Sequence, residues 1–158
     1  MPRSLGRALP AVLQPLFDGQ NLHSKVGETF LLLTTDTDGW PHMAMLSVGE
    51  LLAVDSDRLE AALWLHSTAT RNLEHTARGL LAIVADGAGY YVRLTARRLD
   101  DLDVGAQGRL ARFELAIEDV QEDRVDYAKL TSGIRFELPD PAAVVARWEH
   151  TIAALKGA

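Results

Sequence analysis

Six stretches of this chain carry apolar residues at every second position or in short unbroken runs, and most connections between them are only a few residues long. Residues 90–99, YYVRLTARRL, place Tyr90, Val92, Leu94 and Ala96 on one side and Tyr91, Arg93, Thr95 and Arg97 on the other. Residues 112–119, RFELAIED, turn Phe113, Leu115 and Ile117 the same way inward. A period of two is the mark of a strand with one buried face. Six such strands joined by short connections predict an antiparallel sheet that closes, or nearly closes, into a barrel.

The remaining strands are read from the same signals. ETFLLLTTD (28–36) is rich in strand formers and runs into Asp-Thr-Asp-Gly, a turn sequence. PHMAMLSVGELLAV (41–54) is expected to be the second strand, with Ala44, Leu46, Val48, Leu52 and Val54 on its buried face. Gly49 in its middle marks a bulge or a close approach by another part of the chain. LEAALWL (59–65) and the apolar run GLLAIVAD (79–86) are the third and fourth strands.

Helices occupy what is left. Residues 9–17 suggest a short helix interrupted by Pro15. A second helix opens at LHSTATRNL (65–73) and runs to about Ala77. Asp140 followed by Pro141 is an N-cap with proline at the first helical position. From there Val144, Val145, Trp148, Ile152 and Leu155 fall on one face of a closing helix over about 141–155. Residues 125–138 read as a short helix and an irregular strand. The expected class is α+β: a six-stranded antiparallel split β-barrel over about 28–120 with peripheral helices, in a single domain of 158 residues.

Composition narrows the function. A formal net charge of −6 argues against a general nucleic-acid or anionic-membrane surface, though not against one local phosphate pocket. The absence of cysteine excludes disulfides, thiolate nucleophiles and cysteine-ligated zinc. The five histidines have no metal-site spacing, so no metal is expected. No stretch approaches the roughly 18 apolar residues of a membrane span. The opening MPRSLGRALP does not read as a signal peptide, so a cytoplasmic protein is expected. No Ser/His/Asp arrangement, P-loop or GxGxxG pattern is present.

One local anomaly points to a ligand. Ser67 or Thr68 suits a helix N-cap, where orphan backbone N–H groups need an acceptor. The aligned peptide dipoles make that end positive, and a carboxylate usually follows. Here the first turn holds Ala69, Thr70 and Arg71, and the first acid, Glu74, comes a turn late. Hydroxyls and a cation thus gather where an anion is favoured. The alternative is a plain capped helix, with Arg71 paired to Glu74 or Glu60.

The order of these elements, with DGWPH at the second strand and STATRNL at the helix start, resembles the pyridoxamine 5′-phosphate oxidase-like, FMN-binding split barrels over roughly residues 28–120. The resemblance implies a homodimer with FMN in the groove between subunits and the flavin phosphate on the helix start, a natural anion site. Carried over by position, it assigns Ser67, Thr68, Arg71 and Asn72 to the phosphate and Trp64, Leu65 and His66 to the ribityl chain. Met45, Leu46 and Ser47 come to face the ring. It also implies redox chemistry on a small-molecule substrate, in which the flavin carries the electrons and no catalytic side chain is required. Trp40, just after the hairpin glycine, suits a subunit contact.

Three positions depart from the classical oxidases of the group. Ala44 and Gly49 stand where those have arginine and lysine, and Ala69 replaces a common basic residue. The alternative is therefore a non-catalytic binding or sensing barrel, whose site has decayed or been adapted to deazaflavin, haem or another ligand.

Overall fold

The computed structural model describes residues 1–158. Eight strands and two α-helices are present: β1 Arg3–Ser4, β2 Phe30–Thr35, β3 Pro41–Leu46, β4 Leu51–Asp55, β5 Arg58–Trp64, α1 Thr68–Thr76, β6 Arg78–Ala85, β7 Ala88–Asp103, β8 Arg109–Asp123 and α2 Pro141–Gly157. Every strand pair is antiparallel, and the sheet runs β3-β2-β6-β7-β8-β5-β4, with the short β1 added beside β8. The strands β3 and β4 are consecutive in the chain yet lie at opposite ends of this path. Only Ser47–Glu50 separates them, so the two edges stay close at one end without pairing. That gap is the split in the barrel.

The six-strand expectation is corrected here. The run 41–54 is two strands, because Ser47–Glu50 forms a turn in which the Glu50 N–H donates to the Ser47 carbonyl at 3.2 Å. The turn breaks the alternation, so Leu51 and Leu52 are both buried while Val54 is exposed. The two-residue strand β1 is too short to leave a periodic signal. Residues 125–138 form no helix; their regular contact is a single bridge between Arg135 and Glu28. The segment 9–17 yields only one 3₁₀ turn, Gln14–Phe17.

Other expectations hold. Asp36 accepts from the N–H groups of Asp38 and Trp40, both at 2.9 Å, which fixes the β2–β3 turn, and Gly39 takes the positive φ of 86° that turn needs. Asp140 caps α2, its carboxylate accepting from the Ala143 N–H at 3.2 Å. Phe30, Leu32, Leu81, Val92, Phe113 and Leu115 point into the barrel and are fully buried. α1 packs against β2 and β3 through Leu73. α2 lies outside, against β4 and β5, through Val145, Ile152 and Leu155. Tyr90 is buried and Tyr91 half-buried; their hydroxyls donate to Glu122 and Asp123. No helix is long and apolar enough to cross a membrane.

Candidate functional site

The start of α1 separates the capping role from the ligand role. Ser67 is the cap: its Oγ accepts from the Thr70 N–H at 3.1 Å and donates to Thr70 Oγ1 at 2.9 Å. Thr70 in turn donates to the Trp64 carbonyl at 2.7 Å, so the hydroxyls of both residues are engaged within the chain. Thr68 and Arg71 are different. Arg71 pairs with neither Glu74 nor Glu60, whose partners are Arg98 and Arg112. Its guanidinium instead donates to the His66 carbonyl at 2.8 Å and to Thr68 Oγ1 at 3.3 Å, curling back over the helix start. Two such bonds leave several of its five N–H donors and the Thr68 O–H free. Asn72 faces the other way: its buried amide donates to Thr34 Oγ1 at 3.0 Å and ties α1 to β2.

The other assigned residues lie on two sides of α2. Trp64 and Leu65 line a cavity of about 460 Å³ with Val104, Arg109, Arg147 and Leu110. Met45, Leu46 and Ser47 line a second cavity of about 510 Å³, closed by Ile134, Phe136 and Trp148. Glu50 and Trp148 belong to both linings and form the wall between them. Ser67, Thr68 and Arg71 touch neither; His66 contributes only its carbonyl. The structure thus sets nine of the ten assigned residues in three places rather than in one, and turns the tenth, Asn72, towards β2.

Three residues important to this geometry left little trace in the sequence. Trp148, read there as core, is half-buried and seated on Gly49. Glu50 is tucked behind it, where its carboxylate accepts from both the N–H and the O–H of Ser47. Burial pushes the Glu50 carboxyl above the ordinary value of 4.5, and the two Ser47 bonds offset this only in part. Thr29, at the mouth of β2, lines the second cavity, and its hydroxyl is buried without a hydrogen-bond partner. An orphan of that kind costs about 1–3 kcal/mol. The one signal in the sequence was Gly49, which announced a close approach without naming what approaches.

The positions that depart from the classical oxidases differ in how closed they are. Ala69 is a buried residue of α1, Ala44 is half-buried against the core and Gly49 lies under the indole of Trp148. Position 49 has no room for a basic side chain in this arrangement.

A split barrel with these proportions is the fold of the pyridoxamine 5′-phosphate oxidase-like proteins. It is shared with a candidate pyridoxamine 5′-phosphate oxidase of Lactobacillus delbrueckii, at 21% identity and a TM-score of 0.58 over 75% of this chain and 98% of that one. HupZ of Group A Streptococcus is similar at 14% identity, with a TM-score of 0.53 over 82% of this chain and 99% of its own. No family model matches the chain. By sequence it belongs to the family of YclD from Bacillus subtilis (strain 168), described as uncharacterized, to which it is 39% identical over 141 residues. That match covers 89% of this chain and 91% of YclD.

Proposed function

We propose that this protein is a homodimeric flavin-binding split barrel that carries out redox chemistry on a small molecule. The observation that carries the reading is the start of α1. Thr68 and Arg71 present an open hydroxyl and an unpaired guanidinium at the positive end of a helix with no acid in its first turn. That donor set suits the phosphate of FMN, which Thr68, Arg71 and the leading backbone N–H groups would hold. The strand end Trp64–His66 and the edge Met45–Ser47 would then flank the rest of the cofactor. When bound, FMN supplies the electron transfer, and the chain supplies binding, orientation and exclusion of water.

A second copy of the chain is the partner this reading needs, and the outer face of the sheet supports it. Met45 and Met43 on β3 pair across to Leu31 and Leu33 on β2, which pair in turn with Ala82 and Leu80 on β6. None of these six outward residues is polar or fully buried, and Met45 is 62% exposed. A contiguous apolar face of this kind marks an interaction surface.

The test is the visible spectrum of the purified protein followed by titration with FMN. Flavin absorption bands or tight saturable binding support the reading. A colourless protein that ignores FMN overturns it. The second reading, a non-catalytic binding barrel, is favoured by the absence of a basic residue at positions 44, 49 and 69, and predicts that colourless outcome.

A further inference from the structure

The cavity between Trp148 and the strap 134–136 is built differently from the phosphate end. Its walls are Met45, Leu46, Ile134, Phe136 and Trp148, and the last two set their rings at 90° with centroids 6.4 Å apart. Such a corner offers one aromatic face and one aromatic edge, which is how a flat ring is best held. Four polar residues, Thr29, Ser47, Glu50 and Arg135, interrupt the apolar lining, and the Ser47 hydroxyl is spent on Glu50. Thr29 is 8% exposed, and its hydroxyl has no partner within the chain. Glu50 spends one carboxylate oxygen on Ser47, and no bond of the chain engages the other. The one cation present, Arg135, is already committed to Glu28 at 3.0 Å and to the Val26 carbonyl at 3.4 Å.

We propose that this cavity is the substrate pocket, and that it takes a neutral, flat, mostly carbon molecule carrying one hydroxyl or N–H group, read by Thr29 Oγ1 and the Glu50 carboxyl. An anion finds no free cation here, because Arg135 is already paired with Glu28. A fully apolar molecule leaves Thr29 unsatisfied, and so gains less than one that bonds it. Burial favours the neutral form of Glu50, which can then both donate and accept. As a substrate pocket the assignment rests on the flavin reading, because Met45–Ser47 form the wall shared with the expected ring position.

The experiment uses the full-length, FMN-free protein and four probes of one shape: p-cresol, toluene, 4-methylbenzoate and 4-methylbenzylamine. Binding is followed by calorimetry and by the NMR signal of the Trp148 indole N–H, assigned with Trp148→Phe. The expected result is that p-cresol binds saturably, shifts that signal and binds tighter than the other three. Thr29→Val, which keeps the shape, should weaken p-cresol about fivefold, leave toluene unchanged and raise the melting temperature of the empty protein.

Equal binding of p-cresol to the wild type and Thr29→Val, or tighter binding of either charged probe, overturns the proposal. So does displacement of p-cresol by FMN, which would make the cavity the flavin's own. Failure of FMN to bind while p-cresol does sinks only the flavin reading and the name of substrate. Failure of p-cresol while FMN binds sinks only this one.

Discussion

Gly49 lies directly beneath the Trp148 indole, so closely that a Cβ built on the glycine would stand 2.1 Å from both Cγ and Cδ1 of the ring. The glycine is not there for its backbone freedom; it is there because α2 takes the space a side chain would fill. The same contact explains why this chain has no basic residue at position 49, and it joins the C-terminal helix to the turn that splits the barrel.

Gly49→Ala should therefore destabilise the protein by about 1–3 kcal/mol, the usual cost of overpacking, or roughly 2–4 °C in melting temperature per kcal/mol for a chain of this size. Combined with Trp148→Gly it should cost less than the sum of the two single changes, because that variant removes the ring atoms at 2.1 Å and the Trp148 Cβ at 2.5 Å together. Thermal melts of the two single variants and the double variant measure this coupling. Additive losses would mean that the indole does not sit on Gly49.

Glu50 makes a prediction about pH. Its carboxyl is raised by burial, so the unfolded chain ionises it before the folded one does. Its contribution to stability is full below the ordinary value of 4.5 and is lost as pH rises through the raised folded value. Glu50→Gln removes that loss while keeping an acceptor for Ser47. The variant should gain on the wild type in denaturant midpoint at pH 7, and the gain should shrink towards pH 4. A difference that stays constant with pH would contradict the burial.

What the sequence disclosed follows from which interactions are local. The alternation of β7 and β8, the Asp36–Gly39 turn and the Asp140–Pro141 helix start are written in adjacent residues, and all three are found as read. The Ser67 cap was equally legible. The division of 41–54 was not, because Val48, buried at the centre of the turn, keeps the apolar alternation of Ala44 and Leu46 running as in a continuous strand. Nor was the pairing of Phe136 with Trp148, or the seat of Trp148 on Gly49, since these join segments 12 and 99 positions apart that carry no shared pattern. The family resemblance set Asn72 with Arg71 at the phosphate; which way a helical side chain faces depends on what α1 packs against, and the Asn72 amide meets Thr34.

Arg71 should separate the flavin's phosphate from its ring. A charge-assisted contact is worth about 1.5–3 kcal/mol, so Arg71→Ala should weaken FMN by about 10- to 150-fold. Riboflavin, which has no phosphate, should be unaffected by the change. Stability of the empty protein should move by no more than about 0.5 kcal/mol, because the side chain is exposed and a cation at a helix start gains nothing from the dipole. Parallel titrations with the two flavins decide the matter; equal losses for both would place the phosphate elsewhere.

Met43 tests the second copy. It is 50% exposed on the edge strand β3, opposite Leu33 and beside Met45, at the β3 margin of the apolar outer face. An aspartate there leaves the barrel interior untouched, since inward residues of β2 such as Phe30 and Leu32 lie on the opposite side of the sheet. In an interface it would bury an unpaired charge, at a cost of about 2 kcal/mol or more, at least ~30-fold in dimer affinity. Light scattering over a dilution series should show the wild type at twice the 17.3 kDa chain mass and Met43→Asp shifted towards one chain, with the same melting curve for the barrel at low concentration. A wild type that runs as a single chain at every concentration would remove the dimer. A Met43→Asp variant that dimerises as tightly as the wild type would move the contact off this face.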